Sequence, residues 1–149
     1  TNLFAHPVRL YEWDGSAWGA ATNEFLTMDT TSLMGGGVAT ADGAGVSGSP
    51  VLAGNAGAAD HEHHPFTLFS TAGSPEIGAY LLELFFSVDQ SGIADSTSVL
   101  IAFNNGLDDE VFEGSVDALA PVPVPGAVWL FGSAALALTG VARRARANG

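Results

Sequence analysis

Residues 80–88 read Tyr-Leu-Leu-Glu-Leu-Phe-Phe-Ser-Val, an apolar run interrupted only at Glu83 and Ser87. Too short for a membrane helix and rich in large side chains, it reads as a strand buried along most of its length. Val99–Phe103 is a second such segment, and Phe66, Leu68 and Ser70 fall on one face of a third. Gly73-Ser74-Pro75 and Gly92 punctuate between them, and Asn104-Asn105-Gly106 closes the last. Near the start, residues 8–13 (Val-Arg-Leu-Tyr-Glu-Trp) alternate apolar and polar, and Asp14-Gly15 follows as a turn signal. That pattern predicts a half-buried strand entering a hairpin, with its return arm near Ala17–Ala21. Phe25–Met28 supplies another short strand.

Two segments break this pattern. Residues 35–59 are dominated by Gly and Ala, which bury little and cost much backbone entropy, so they read as a long loop with one short strand around Val51. Residues 108–119 change period: Leu107, Val111, Phe112, Val116 and Leu119 share a helical face. Asp108 is placed to cap that helix, and Asp109 and Glu110 sit where the helix dipole favours negative charge. The expected fold is mainly β: an antiparallel β-sandwich or meander over residues 1–120 with one short helix near 108–119.

Charge is distributed unevenly. All sixteen acids lie between Glu12 and Asp117, against a single base, Arg9, in residues 1–120. A body this acidic is repelled by phosphate backbones, which excludes nucleic acid as a partner. The chain has no cysteine, so disulfides and thiolate chemistry are excluded too. It opens on Thr1 without a basic and then apolar leader, so the expectation of export places a signal peptide upstream of this sequence.

The tail carries the remaining bases. Pro121-Val122-Pro123-Val124-Pro125 is extended, because three prolines fix φ and remove donors. Gly126–Ala142 follows without a charge, and Arg143, Arg144 and Arg146 close it. A helix over this stretch spans roughly 25 Å, adequate for a thin bilayer. Trp129 is an interfacial anchor, and the arginines hold the far end in the cytoplasm. Residues 127–149 are thus expected to be a single transmembrane helix with a basic cytoplasmic end.

This order of proline motif, short apolar helix and terminal basic cluster resembles the PEP-CTERM sorting signal read by exosortase. The stretch Val-Pro-Val-Pro-Gly-Ala-Val-Trp-Leu-Phe-Gly-Ser-Ala-Ala-Leu is similar to the variety found in Gram-negative bacteria. One departure stands out: the central Glu of Pro-Glu-Pro is Val124 here. The resemblance implies a sorting motif at Val122, Pro123, Val124, Pro125 and Gly126, with Arg143, Arg144 and Arg146 as the basic stop. It implies passage through the inner membrane with the body on the periplasmic side. Exosortase would then cleave near Pro123–Pro125 and release the body to the cell surface or an exopolysaccharide matrix.

Chemistry in the body concentrates at Asp60-His61-Glu62-His63-His64-Pro65. On a strand His61 and His63 point to one face, and His64 to the other. Two imidazoles at i and i+2 can ligate one Zn or Cu ion, and His6 offers a third ligand if its strand pairs with theirs. Short histidine-rich tracts are also found as solvated strand ends. The segments His-Glu-His-His-Pro-Phe, Gly-Ala-Tyr-Leu-Leu-Glu-Leu and Val-Leu-Ile-Ala-Phe-Asn-Asn-Gly look like small β-rich surface-anchored bacterial domains, some linked with zinc-responsive systems. By that resemblance His61 and His63 are the ligands. The extra His64 and the Ser-Pro-Glu-Ile insert before Gly78 depart from the pattern.

Other constellations carry less. Asp108, Asp109, Glu110 and Glu113 lack the alternating ligands and Gly of a calcium loop and read better as helix N-terminal acids. There is no Gly-x-Ser-x-Gly elbow and no phosphate-binding glycine pattern before a helix. Tyr11, Trp13, Trp18 and Tyr80 could stack sugars, but strand aromatics are more commonly core. The sequence therefore points away from an enzyme. It points to an exported surface or matrix protein that binds a divalent metal or serves as a passive biofilm component.

Overall fold

The computed structural model describes residues 1–33, 35–55 and 64–119. The chain divides into a compact unit, Thr1–Val116, and the segment Asp117–Gly149, where the expected sorting motif and membrane helix lie outside the described residues. Among the described residues no helix is long and apolar enough to cross a membrane. The described residues form nine strands and one helix, in order: β1 (Asn2–Trp13), β2 (Trp18–Ala20), β3 (Glu24–Asp29), β4 (Val38–Ala41), β5 (Val46–Ser47), β6 (Val51–Asn55), β7 (Phe66–Ser70), β8 (Gly78–Val88), β9 (Val99–Asn105) and α1 (Asp109–Asp117). The fold is mainly β, as the alternation in the sequence requires.

All strand pairings are antiparallel. One sheet runs β2-β1-β8-β9, with β6 alongside the first part of β1; the other runs β5-β4-β3-β7. The predicted hairpin forms between β1 and β2, pairing Tyr11 with Ala20 and Trp13 with Trp18. Its turn is built by Asp14, whose Oδ1 accepts the N–H groups of Ser16 and Ala17, each at 2.8 Å. These bonds to the charged form hold the Asp14 carboxyl below its ordinary value, and Gly15 takes φ +95°. Strand β1 begins well before Val8 and runs the length of the sheet. Pro7 is tolerated in so central a strand because it sits at a register shift against β8, between the stretches that pair with β6 and β2.

The two sheets share a core. Leu10, Leu82 and Leu84 of the first meet Leu26 and Ala41 of the second, with Phe66, Leu68, Ile101 and Phe103 packed around them. Leu10, Leu82 and Leu84 are at most 1 % exposed, and burial of each contributes about 1.5–3 kcal/mol. A second cluster joins Ala5 and Val51 to Met28 and Ala39.

The segment from residue 35 onward is not the loop its composition suggests. It carries β4, β5 and β6, and Ala39, Ala41 and Val51 are buried to 1 % or less. Small side chains are what the packing takes here: β4 lies inside the second sheet, and its alanines face the core. Helix α1 also departs from expectation. Val111 and Val116 are exposed, and the buried position is Ser115, at 0 %. Trp18 Nε1 donates to the Ser115 carbonyl at 2.9 Å, and a small residue lets the helix backbone come that close to the indole. Of the expected face, Phe112 is half-buried, and the position the helix buries fully is Ser115.

Candidate functional site

Of the four histidines, two are described. His6 lies in the middle of β1, not at a strand start, opposite Phe85 of β8. Its ring stacks on Phe85 with centroids 4.4 Å apart, and Nε2 is 2.7 Å from the Ser87 hydroxyl. His64 precedes β7. Its Nε2 donates to the Ala53 carbonyl at 2.8 Å. That carbonyl is available because β6 bulges there: Leu3 pairs with Gly54 and Phe4 with Leu52, so Ala53 has no partner across the strand. With the proton on Nε2, Nδ1 is the basic nitrogen, and it is buried without a hydrogen-bond partner among the described residues. His61 and His63 lie outside the described residues. Among the described residues, no three His, Asp or Glu side chains are grouped so as to hold a metal ion.

The aromatics of the first sheet divide between its faces. Tyr80 points into the core and is 3 % exposed, as a core reading expects. Tyr11, Trp13 and Trp18 occupy the opposite face, where Trp13 and Trp18 lie tilted with centroids 5.5 Å apart. Tyr11 donates its hydroxyl to Glu83 at 2.9 Å, and the other Glu83 oxygen accepts from Ser98. The charged residue that interrupts the apolar run is thus partnered at both oxygens. Partial burial and then the Glu83 bond and charge raise the Tyr11 phenol.

Acids converge at the end of the sandwich near Tyr80. Glu24 is only 4 % exposed, and its Oε1 has no partner. Glu12 accepts from the Thr22 amide and hydroxyl. Tyr80 donates to the Glu76 carbonyl oxygen at 3.0 Å. Burial, followed by the charges of Glu24, Glu12 and Glu76, pushes the Tyr80 phenol up to about 12. Sequence reading passed over Glu24, although strand alternation carries the signal: Glu24 has the same parity as Leu26 and Met28, and a strand begun at Glu24 puts it on the core face.

A hollow of about 300 Å³ opens between the edges of the two sheets and is lined by Phe66, Phe103 and the amides Asn104 and Asn105. Asn105 is committed to the Glu76 carbonyl and Asn104 to Leu107, so neither side-chain amide N–H is fully free for a ligand. No protein-family model, no curated protein and no solved structure matches this chain.

Proposed function

We propose that this is an exported cell-surface or exopolysaccharide-matrix protein of a Gram-negative bacterium, delivered by an exosortase-type C-terminal signal, and not an enzyme. The observation that carries the reading is the order of the tail: Val122–Gly126 as sorting motif, an uncharged apolar stretch, then Arg143, Arg144 and Arg146. A β body with sixteen acids suits a hydrated, anionic matrix and stays clear of nucleic acid. The test is production of the full chain behind an export signal in hosts with and without exosortase. The expected result is a shortened form released from the inner membrane only when exosortase is present. Identical size and location in the two hosts would refute the sorting reading. Replacing the three tail arginines by Ala is expected to abolish release.

The body's role in this proposal is capture of Zn or Cu by a histidine strand. His61 and His63 are the principal ligands, His64 offers its Nδ1, and His6 is the further candidate. The state of His64 supports it, since its buried Nδ1 has no hydrogen-bond partner among the described residues, and such a nitrogen is the donor a borderline metal takes. Zinc and copper calorimetry on the full chain, alongside a His61→Ala/His63→Ala variant, decides the matter. Stoichiometric binding lost in the variant supports capture. No binding by the wild-type chain leaves the body as a passive matrix component.

A further inference from the structure

A buried carboxylate without a partner is costly. Removing an ionised carboxylate from water costs several kcal/mol unless a cation or hydrogen bonds replace the water. Glu24, nine-tenths buried with Oε1 unpartnered, is in that position. The only side-chain cation among the described residues is Arg9, which pairs in register with Glu83 on the face turned away from the core. Among the described residues, therefore, no side chain brings a positive charge to Glu24, and Glu12 and Glu76 add negative charge around the neighbouring Tyr80.

Glu24 lines a cavity of about 150 Å³ shared with Asp42, Thr22 and Thr71. Backbone bonding builds this cavity. Leu10 of β1 donates its N–H to the Asp42 carbonyl and accepts from the Ala21 amide, so the link into β3 and the turn after β4 are drawn together at one point. Gly43 fits there because a Cβ would run into the Ala21 carbonyl oxygen. Asp42 Oδ1 accepts from Ala44 N at 2.7 Å and Gly45 N at 2.8 Å, which fixes the carboxylate and leaves Oδ2 uncommitted among the described residues. Its potential side-chain ligands are the oxygens of Glu24, Asp42, Thr22, Thr71 and Asn23, and its lining has neither imidazole nor thiolate.

We infer that this cavity is a site for a hard divalent cation of the calcium class, with Glu24 as its buried charged anchor and Asp42 as the second carboxylate. Calcium takes six to eight oxygens, so the Thr22 and Thr71 hydroxyls, backbone carbonyls and water complete the shell. Two carboxylates with several water positions give a weak site, with a Kd of about 10⁻⁴–10⁻³ M, the range of extracellular modules. The site is separate from the histidine strand in residues, donor type and metal preference. It stands or falls independently of zinc or copper capture.

The test is a calcium titration of the full chain in detergent micelles, read by calorimetry and by the thermal unfolding midpoint. Wild type is expected to bind one calcium and to unfold several degrees higher in about 10 mM calcium. Glu24→Gln keeps the shape and removes the charge. It is expected to lose the calcium-dependent shift and, without calcium, to unfold no lower than wild type. Asp42→Asn preserves the Oδ1 acceptor of the turn and is expected to weaken calcium binding at least tenfold; it decides the question if Glu24→Gln does not fold. Absence of a calcium response in wild type would show that the cavity takes no cation. A response surviving in both variants would assign calcium to surface acids. Either outcome overturns the inference.

Discussion

Raising the pH from about 9 to about 12 should weaken this protein in a way that few proteins allow to be assigned to single groups. The chain has neither lysine nor cysteine, and only two tyrosines, so in its body Tyr11 and Tyr80 are the side chains that titrate in this window. The Tyr80 phenol ordinarily ionises near 10.0 and is pushed up to about 12 in the fold, first by burial and then by Glu24, Glu12 and Glu76. The sign follows from proton counting. Between these values the unfolded chain has lost the Tyr80 proton and the folded protein retains it, so stability is intact below 10 and falls as pH rises toward 12. Two pKa units at about 1.36 kcal/mol each give a loss of about 2.7 kcal/mol from Tyr80. Tyr11, also raised, adds to the loss in the same direction. Urea unfolding followed by tryptophan fluorescence at closely spaced pH values measures it. Tyr80→Phe should cost about 1 kcal/mol near neutrality, through the lost bond to the Glu76 carbonyl, and should flatten the alkaline decline. An alkaline decline of the same size in wild type and Tyr80→Phe would refute the argument that burial and the three carboxylates hold this phenol neutral.

Three further outcomes are expected. Leu82→Ala, at the fully buried centre of β8, should cost about 2–5 kcal/mol and lower the thermal midpoint by roughly 10–20 °C, measured by calorimetry. Trp18→Phe removes the donor to the Ser115 carbonyl, and a nine-residue helix has little stability of its own; amide exchange across Asp109–Asp117 should speed up roughly tenfold while the sheet amides stay protected. Gly43→Ala forces the turn after β4 away from Ala21 and should destabilise by about 2 kcal/mol or more in urea.

Much of the fold was legible in the chain. The alternation in residues 8–13, the Asp14-Gly15 turn and the apolar runs at 80–88 and 99–103 each correspond to an element in the structure. Only the run at 80–88 is buried along much of its length: Val99 and Leu100 of β9 are exposed, because β9 is the edge of its sheet. Helix α1 also stands where the period changes, with Asp109 and Glu110 in its first turn. The face it docks was not legible. Hydrophobic spacing picks Val111 and Val116 together with Phe112; Phe112 is half-buried, but the two valines are exposed, and one indole reaching a backbone carbonyl selects the side carrying the small residue Ser115. The histidine cluster announces itself by composition alone, yet the availability of His64 Nδ1 depends on a bulge in β6 that no local pattern encodes.

By itself, then, the sequence determined the class of fold, the position of the long strands, the acidic character of the body and the distinct tail. These follow from local quantities: side-chain polarity, periodicity and turn chemistry act within a few residues. Tertiary structure decided the rest. Strand β6 matches the short strand expected around Val51, but β4 and β5 exist in a Gly- and Ala-rich segment because neighbouring strands supply the hydrogen bonds and the opposite sheet covers the alanines of β4. It likewise decided that Glu24 is buried beside Asp42, since their separation along the chain is closed only where Leu10 binds both Asp42 and Ala21. A strand of small residues and a buried acid share one physical reason for being illegible: what stabilises each comes from partners distant in sequence.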